Sequence, residues 1–142
     1  MYSIDAMYLM VCTALVESKL THLKQLPEGP ALGMFQVEWD TYLDVCRYLR
    51  LPRNSERLNK ILLHCERTFL PMQRATLIGD LYLNVLIART KYWMIPEKIP
   101  TYKNPEAQAQ YYEQYYNCNK EVNKVEEFVR HSQNISGWIT QD

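Results

Sequence analysis

No run of about eighteen consecutive apolar residues occurs in the 142-residue chain, so no segment is expected to span a bilayer. The nearest approach, Ile4 to Val16, is interrupted by Asp5. No Lys or Arg precedes it and no small-residue cleavage site follows, which excludes a signal peptide. The chain is therefore expected to be made in a cytoplasm and not exported by that route. An excess of one charge is also lacking. Sixteen Lys and Arg stand against sixteen Asp and Glu, a balance that argues against a strongly basic nucleic-acid binder. The four cysteines, Cys12, Cys46, Cys65 and Cys118, include no Cys-x-x-Cys pair. That spacing disfavours a structural zinc site or a redox dithiol and suits reduced thiols in a cytosolic chain. His22, His64 and His131 are scattered, and His64, Cys65 and Glu66, though adjacent, point different ways on a helix. No Gly-x-Ser-x-Gly elbow and no phosphate loop is present, so neither a metal nor a cofactor is expected.

What the chain does contain is the composition of one globular domain, residues 1–142, with 47% apolar and 23% charged residues. The patterning is helical, all-α or α-dominated α+β. Ser3 is positioned as an N-cap, and Ile4, Met7, Tyr8, Val11 and Leu15 recur at helical spacing as far as Ser18. Leu26 to Phe35 reads as a loop, with Pro27, Gly29, Pro30 and Gly33 in it. Asp40 to Leu49 predicts a helix with Tyr42, Leu43, Cys46 and Leu49 inward, ended by Pro52. Asn54 or Ser55 would cap a third helix, carrying Leu58, Ile61, Leu62, Cys65 and Phe69 on one face. Met72 to Trp93 predicts one long buried central helix, about the fourth of six. Ile95 to Pro105 is a connector, and Asn104, Pro105 and Glu106 open the next helix. Val122 to Val129 begins the last one, with an irregular tail after Ser132. Only Gln36 to Trp39 suggests extended chain. The run Arg47, Arg50, Arg53, Arg57, Lys60, Arg67 and Arg74 could face an anionic polymer, although a solvated helix face is the more common outcome for such a run.

Three segments carry candidate chemistry. Glu17 ends the first apolar helix, where partial desolvation and the negative helix end both favour a neutral carboxyl. A neutral carboxyl is what protonation of a glycosidic oxygen requires. Gly29 to Glu38 is a glycine-proline loop in which Gly33 permits close backbone approach to a ligand and Gln36 offers a donor and an acceptor. The segment from Tyr111 to Asn117 places Tyr111, Tyr112, Tyr115 and Tyr116 within six residues, available to stack on sugar rings, to bond to a carboxyl, or simply to cover the core.

Glu17-Ser18, Gly33-Met34-Phe35-Gln36 and Tyr116-Asn117 resemble, in order, the Glu-Ser, Gly-Leu-Met-Gln and Ala-Tyr-Asn-x-Gly motifs of the soluble lytic transglycosylase and goose-type lysozyme group. Nearly the whole chain also resembles a set of small bacteriophage proteins. That likeness rests on Glu17-Ser18, Gly29 to Glu38, Ala88-Arg89 with Tyr92, Pro96-Glu97 with Pro100, Tyr115-Tyr116-Asn117, and Val125 to Phe128. Three positions depart from the patterns: Cys118-Asn119 in place of the closing glycine, Val16 in place of Gln, and Phe35 in place of Met. The resemblance implies a single lysozyme-like helical domain acting on peptidoglycan glycan strands. Glu17 would be the catalytic acid and base. Ser18, Gly33, Met34, Gln36, Glu38, Tyr112, Tyr115, Tyr116 and Asn117 would contact substrate, with Tyr116 positioning Glu17. A hydrolytic route needs a second carboxylate about 5–5.5 Å (retaining) or about 6.5–9.5 Å (inverting) from the acid, for which Glu38, Asp40 and Asp44 are available. A transglycosylase needs only one. Such a protein would act after synthesis in the host cytoplasm, in the virion or at the cell wall. Two other readings stay open: a catalytically silent virion component that contacts other phage proteins, and a regulatory module that binds nucleic acid through residues 47–74.

Overall fold

The computed structural model describes residues 3–24, 29–57, 59–60, 76–117 and 123–139. Within them the fold is all-α. Helix α1 spans Ile4–Ser18 and α2 Trp39–Leu49, followed by a 3-10 turn at Pro52–Asn54. Then come α3 (Thr76–Gly79), α4 (Leu81–Trp93), α5 (Pro105–Tyr115) and α6 (Val125–Ile139). Extended pairing among the described residues is confined to two isolated bridges, Lys24 with Leu32 and Leu32 with Val37.

Local signals set the helix starts. Ser3 Oγ accepts from the Ala6 amide at 3.1 Å, and Asn104 Oδ1 accepts from Ala107 at 3.0 Å with Pro105 in the first turn. Each side chain satisfies a donor that the helix leaves without an internal partner. Helix follows directly on Asn54, at residues 55–57 and 59–60, where a third helix is expected to start; Asn54 itself is buried and donates through Nδ2 to the Tyr48 carbonyl at 2.6 Å. The remainder of the expected third helix, Leu58, Ile61, Leu62, Cys65 and Phe69, lies outside the described residues, as do Met72 to Ala75.

The structure differs from the sequence reading at two helices. The long helix expected through Trp93 is divided at Asp80, whose backbone leaves the helical region (φ −96°, ψ 93°) and whose side chain caps α4 by accepting from Leu83. Nor is α4 buried all round, since Leu81, Tyr82 and Val85 are exposed. The helix at the centre of the packing is α1, which contacts α4, α5 and α6. Nine of its fifteen residues are buried, on a face that includes Leu9, Cys12, Thr13 and Val16 as well as Tyr8. At the other end of the chain, α6 continues through the expected irregular tail to Ile139. Phe128, Ser132 and Ile135 are all buried, at spacings of four and three residues that bring them onto one helical face.

One hydrophobic core joins all the major helices. Tyrosine forms much of it. Tyr92 stacks on Tyr116 at 5.0 Å, Tyr112 on Tyr116 at 6.0 Å and Tyr112 on Phe128 at 5.3 Å. Buried hydroxyls need partners. Thr13 gives its proton to the Leu9 carbonyl at 2.7 Å, so Tyr92 donates to Thr13 Oγ1, also at 2.7 Å. Burial raises Tyr92 and Tyr112 well above the ordinary tyrosine range, and the charge of Glu17 adds to both. A raised phenol stays protonated in the folded chain while the unfolded chain loses that proton above about pH 10. Below that pH the two states bind protons equally and stability is intact. Above it, each tyrosine removes about 1.4 kcal/mol per pH unit. The expected result is cooperative alkaline unfolding, with the last part of the tyrosinate absorbance, that of the buried rings, appearing only as the helical circular dichroism is lost. Full tyrosinate absorbance with the helix intact would contradict it.

Candidate active site

The end of α1 and the glycine loop form one wall. Lys19 closes α1 in the left-handed conformation, its amide bonded to the Leu15 carbonyl at 3.0 Å. Ser18 Oγ donates to the Met34 carbonyl at 2.7 Å and the Gly33 amide donates to the Leu23 carbonyl at 2.9 Å. These bonds tie residues 19–24 to the loop at 31–37. Among the described residues, every non-glycine with positive φ lies here: Lys19 (53°), Leu20 (56°) and Gln36 (46°). Each such residue costs about 1 kcal/mol or more relative to ordinary backbone, so among the described residues left-handed strain is concentrated at this one place.

Beside this wall lies a groove of about 370 Å³ that contains Glu17, Gln36, Glu38, Tyr116 and Asn117. The Glu17 side chain is 11% exposed. The buried Tyr112 hydroxyl donates to its Oε1 at 2.5 Å, and Lys124 Nζ lies 3.4 Å from the same oxygen. Because Tyr112 is held protonated, it can only donate to the carboxylate. Lys91 donates to the Tyr116 carbonyl at 3.1 Å and sits 4.1 Å from the centre of the Tyr116 ring.

The residues singled out from the sequence fall into two groups. Glu17, Gln36, Glu38, Tyr116 and Asn117 share the groove. Gln36 gives its amide nitrogen to the His22 and Gly33 carbonyls at 3.2 and 2.9 Å, so its amide oxygen is the part left to meet a ligand. Asn117 is buried and donates to Glu113 at 3.0 Å. The others act inside the protein. Ser18 is the latch described above. Met34 lines a separate apolar hollow with Met7, Met10 and Phe35. Tyr115 packs edge-on against Tyr111 at 4.8 Å. Tyr116 donates to the Phe35 carbonyl at 2.9 Å, and the bond to Glu17 belongs to Tyr112, one helical turn earlier. Gly33 does need its left-handed conformation (φ 76°), but what it approaches is Asn84 and the Leu77 carbonyl. Of the possible second carboxylates, Glu38 alone shares the groove; Asp44 pairs with Arg47 at 2.8 Å on the surface. Cys118 and Asn119 lie outside the described residues.

The groove also contains residues that sequence patterning did not select: Lys19, His22, Lys24, Thr41, Lys91 and Lys124. Single lysines in polar stretches carry no motif, and only packing brings them together. The basic run at 47–60 is engaged locally, with Arg57 stacked 3.8 Å from the Trp93 ring centre and Lys60 paired with Glu56 at 2.7 Å; Arg67 and Arg74 lie outside the described residues. Among the described residues no group of three or more His, Cys, Asp or Glu side chains could share a metal ion, and no helix is long and apolar enough to cross a membrane. No family model, no curated protein and no solved structure matches the chain.

Proposed function

We propose that the chain is a bacteriophage peptidoglycan-cleaving enzyme, acting on the glycosidic bond between N-acetylmuramic acid and N-acetylglucosamine as a lysis enzyme or a virion component. The observation that carries this reading is Glu17: a carboxyl shielded from solvent, fixed by Tyr112 and opening onto a groove that also holds Gln36. In the proposed reaction, protonated Glu17 gives its proton to the bridging oxygen as the bond to the anomeric carbon breaks. The resulting carboxylate then takes the proton of the muramic-acid hydroxymethyl group as that oxygen bonds to the anomeric carbon, which leaves a 1,6-anhydro ring. Glu17 regains its proton, so one carboxyl suffices. Purified protein incubated with peptidoglycan should release muropeptides with anhydro ends. Reducing ends would redirect the proposal to hydrolysis, with Glu38 as the partner carboxylate.

Lys124 is the cation at Glu17, its Nζ 3.4 Å from Oε1. Lys124→Met should leave muropeptide release detectable, because Glu17 and Tyr112 remain in place. Loss of release as complete as in Glu17→Gln would show that the ammonium, and not the carboxyl alone, carries the step.

The same ion pair supports a second reading, in which Glu17 is a structural anion that joins α1 to the start of α6 in a catalytically silent virion protein. In that case neither wild type nor any Glu17 variant would release muropeptides from any wall type.

A further inference from the structure

The chain as a whole is neutral, yet the groove holding Glu17 is not: Lys19, Lys24, Lys91 and Lys124 line it against Glu17 and Glu38, with His22 beside them. Two of the lysines have work within the protein, Lys124 at Glu17 and Lys91 at the Tyr116 carbonyl. Lys19, His22 and Lys24 are exposed, and among the described residues no carboxylate lies within ion-pair distance of them. Their backbone is nonetheless fixed. His22 accepts from Gln36 at 3.2 Å, Leu23 accepts from the Gly33 amide at 2.9 Å, and Lys24 is bridged to Leu32. Lys19 occupies a left-handed helix end at φ 53°, a position that glycine fills with less strain. Strain kept at the rim of a groove, on a residue whose charge faces solvent, points to a ligand as its reason.

We infer that Lys19 and Lys24, with His22 between them, form a subsite for the carboxylates of the peptide stems that the glycan carries, so that the groove prefers strands with acidic stems to strands whose stem carboxyls are neutralised. The inference rests on the glycan-cleaving reading, because it takes the sugar chain to lie along the same groove. Exposed lysines suit it: they give modest attraction to carboxylates that stay partly hydrated, and they select between ligands more than they tighten binding.

The test measures binding of the full chain to two preparations from one wall, glycan strands with stems intact and the same strands with their stem carboxyls converted to neutral amides. The expected preference for the untreated strands is about tenfold, the worth of two exposed ion pairs, and it should shrink as salt is added. In the double variant Lys19→Gln/Lys24→Gln the ratio should fall to about one. Lys19→Gly should lose part of the preference while raising the melting temperature by about 3 °C, because the left-handed strain is relieved. Equal binding of both preparations by wild type overturns the inference, as does a preference that the double variant retains. An equal preference for amidated strands carrying phosphate polymer overturns the carboxylate assignment. Cleavage is scored separately. Selective binding without cleavage removes the enzyme reading and leaves the subsite, cleavage without selectivity does the reverse, and binding to neither preparation removes both.

Discussion

Glu17→Gln is expected to reduce muropeptide release by about 10³-fold, within the range for loss of a general acid, while leaving the helical circular dichroism unchanged. The substitution removes one capability. Glutamine keeps an oxygen that accepts from Tyr112, and it keeps the shape of the side chain between α1 and α6. It has no proton of suitable acidity to give to a leaving sugar oxygen, and it cannot act as a base afterwards. The lost ion pair should cost at most about 1 kcal/mol, since Lys124 is 23% exposed and regains water. Activity and stability therefore separate in this variant. Tyr112→Phe gives a complementary pattern. It leaves the proton in place and removes the bond that aims it, so activity should fall less than in Glu17→Gln. Equal activity of wild type and Glu17→Gln on a wall that wild type degrades would assign the chemistry to another residue.

The features legible in the sequence are the ones written within a few residues. The Ser3 and Asn104 caps and the inward face of α2 each depend on neighbours three or four positions away, which patterning detects. The break at Asp80 was hidden because a single acidic residue in an apolar run looks like a tolerated surface position; only its bond to Leu83 makes it a cap. The end of α6 was hidden because His131, Gln133, Asn134 and Gly137 dilute the spacing of Phe128 and Ile135. At the site, Glu17 could be marked as a carboxyl at a helix end, but its partners could not be named. Tyr112 is 95 positions away and Lys124 is 107, and they reach it because α1 packs against both α5 and α6. The cationic rim was illegible for the same reason: charge at one groove in a chain of zero net charge is a property of packing, not composition.

Gly33 shows how a correct local reading can miss its cause, and its replacement should have the largest effect on stability. Its positive φ predicts that alanine there costs about 1 kcal/mol from backbone strain alone. The surroundings raise that cost. A Cβ on Gly33 would overlap the Asn84 side chain and the Leu77 carbonyl oxygen. Asn84 is buried and donates through Nδ2 to the Leu77 carbonyl at 2.5 Å and the Asp80 carbonyl at 2.9 Å, so it holds the break between α3 and α4 together. Moving it aside would strand buried polar groups, at about 1–3 kcal/mol. Gly33→Ala should therefore destabilise the fold by about 3 kcal/mol, or about 10 °C in melting temperature for a domain of this size. Two measurements locate the origin of the loss. Asn84→Ala gives up the same carbonyl bonds on its own, so the double variant Gly33→Ala/Asn84→Ala should lose less than the two single losses together. Additive losses would mean that backbone strain alone accounts for the glycine. Because Gly33 O also accepts from Gln36 Nε2 at 2.9 Å, the displaced loop carries a wall of the groove with it. Gly33→Ala should then weaken glycan binding even at temperatures where the variant is fully folded.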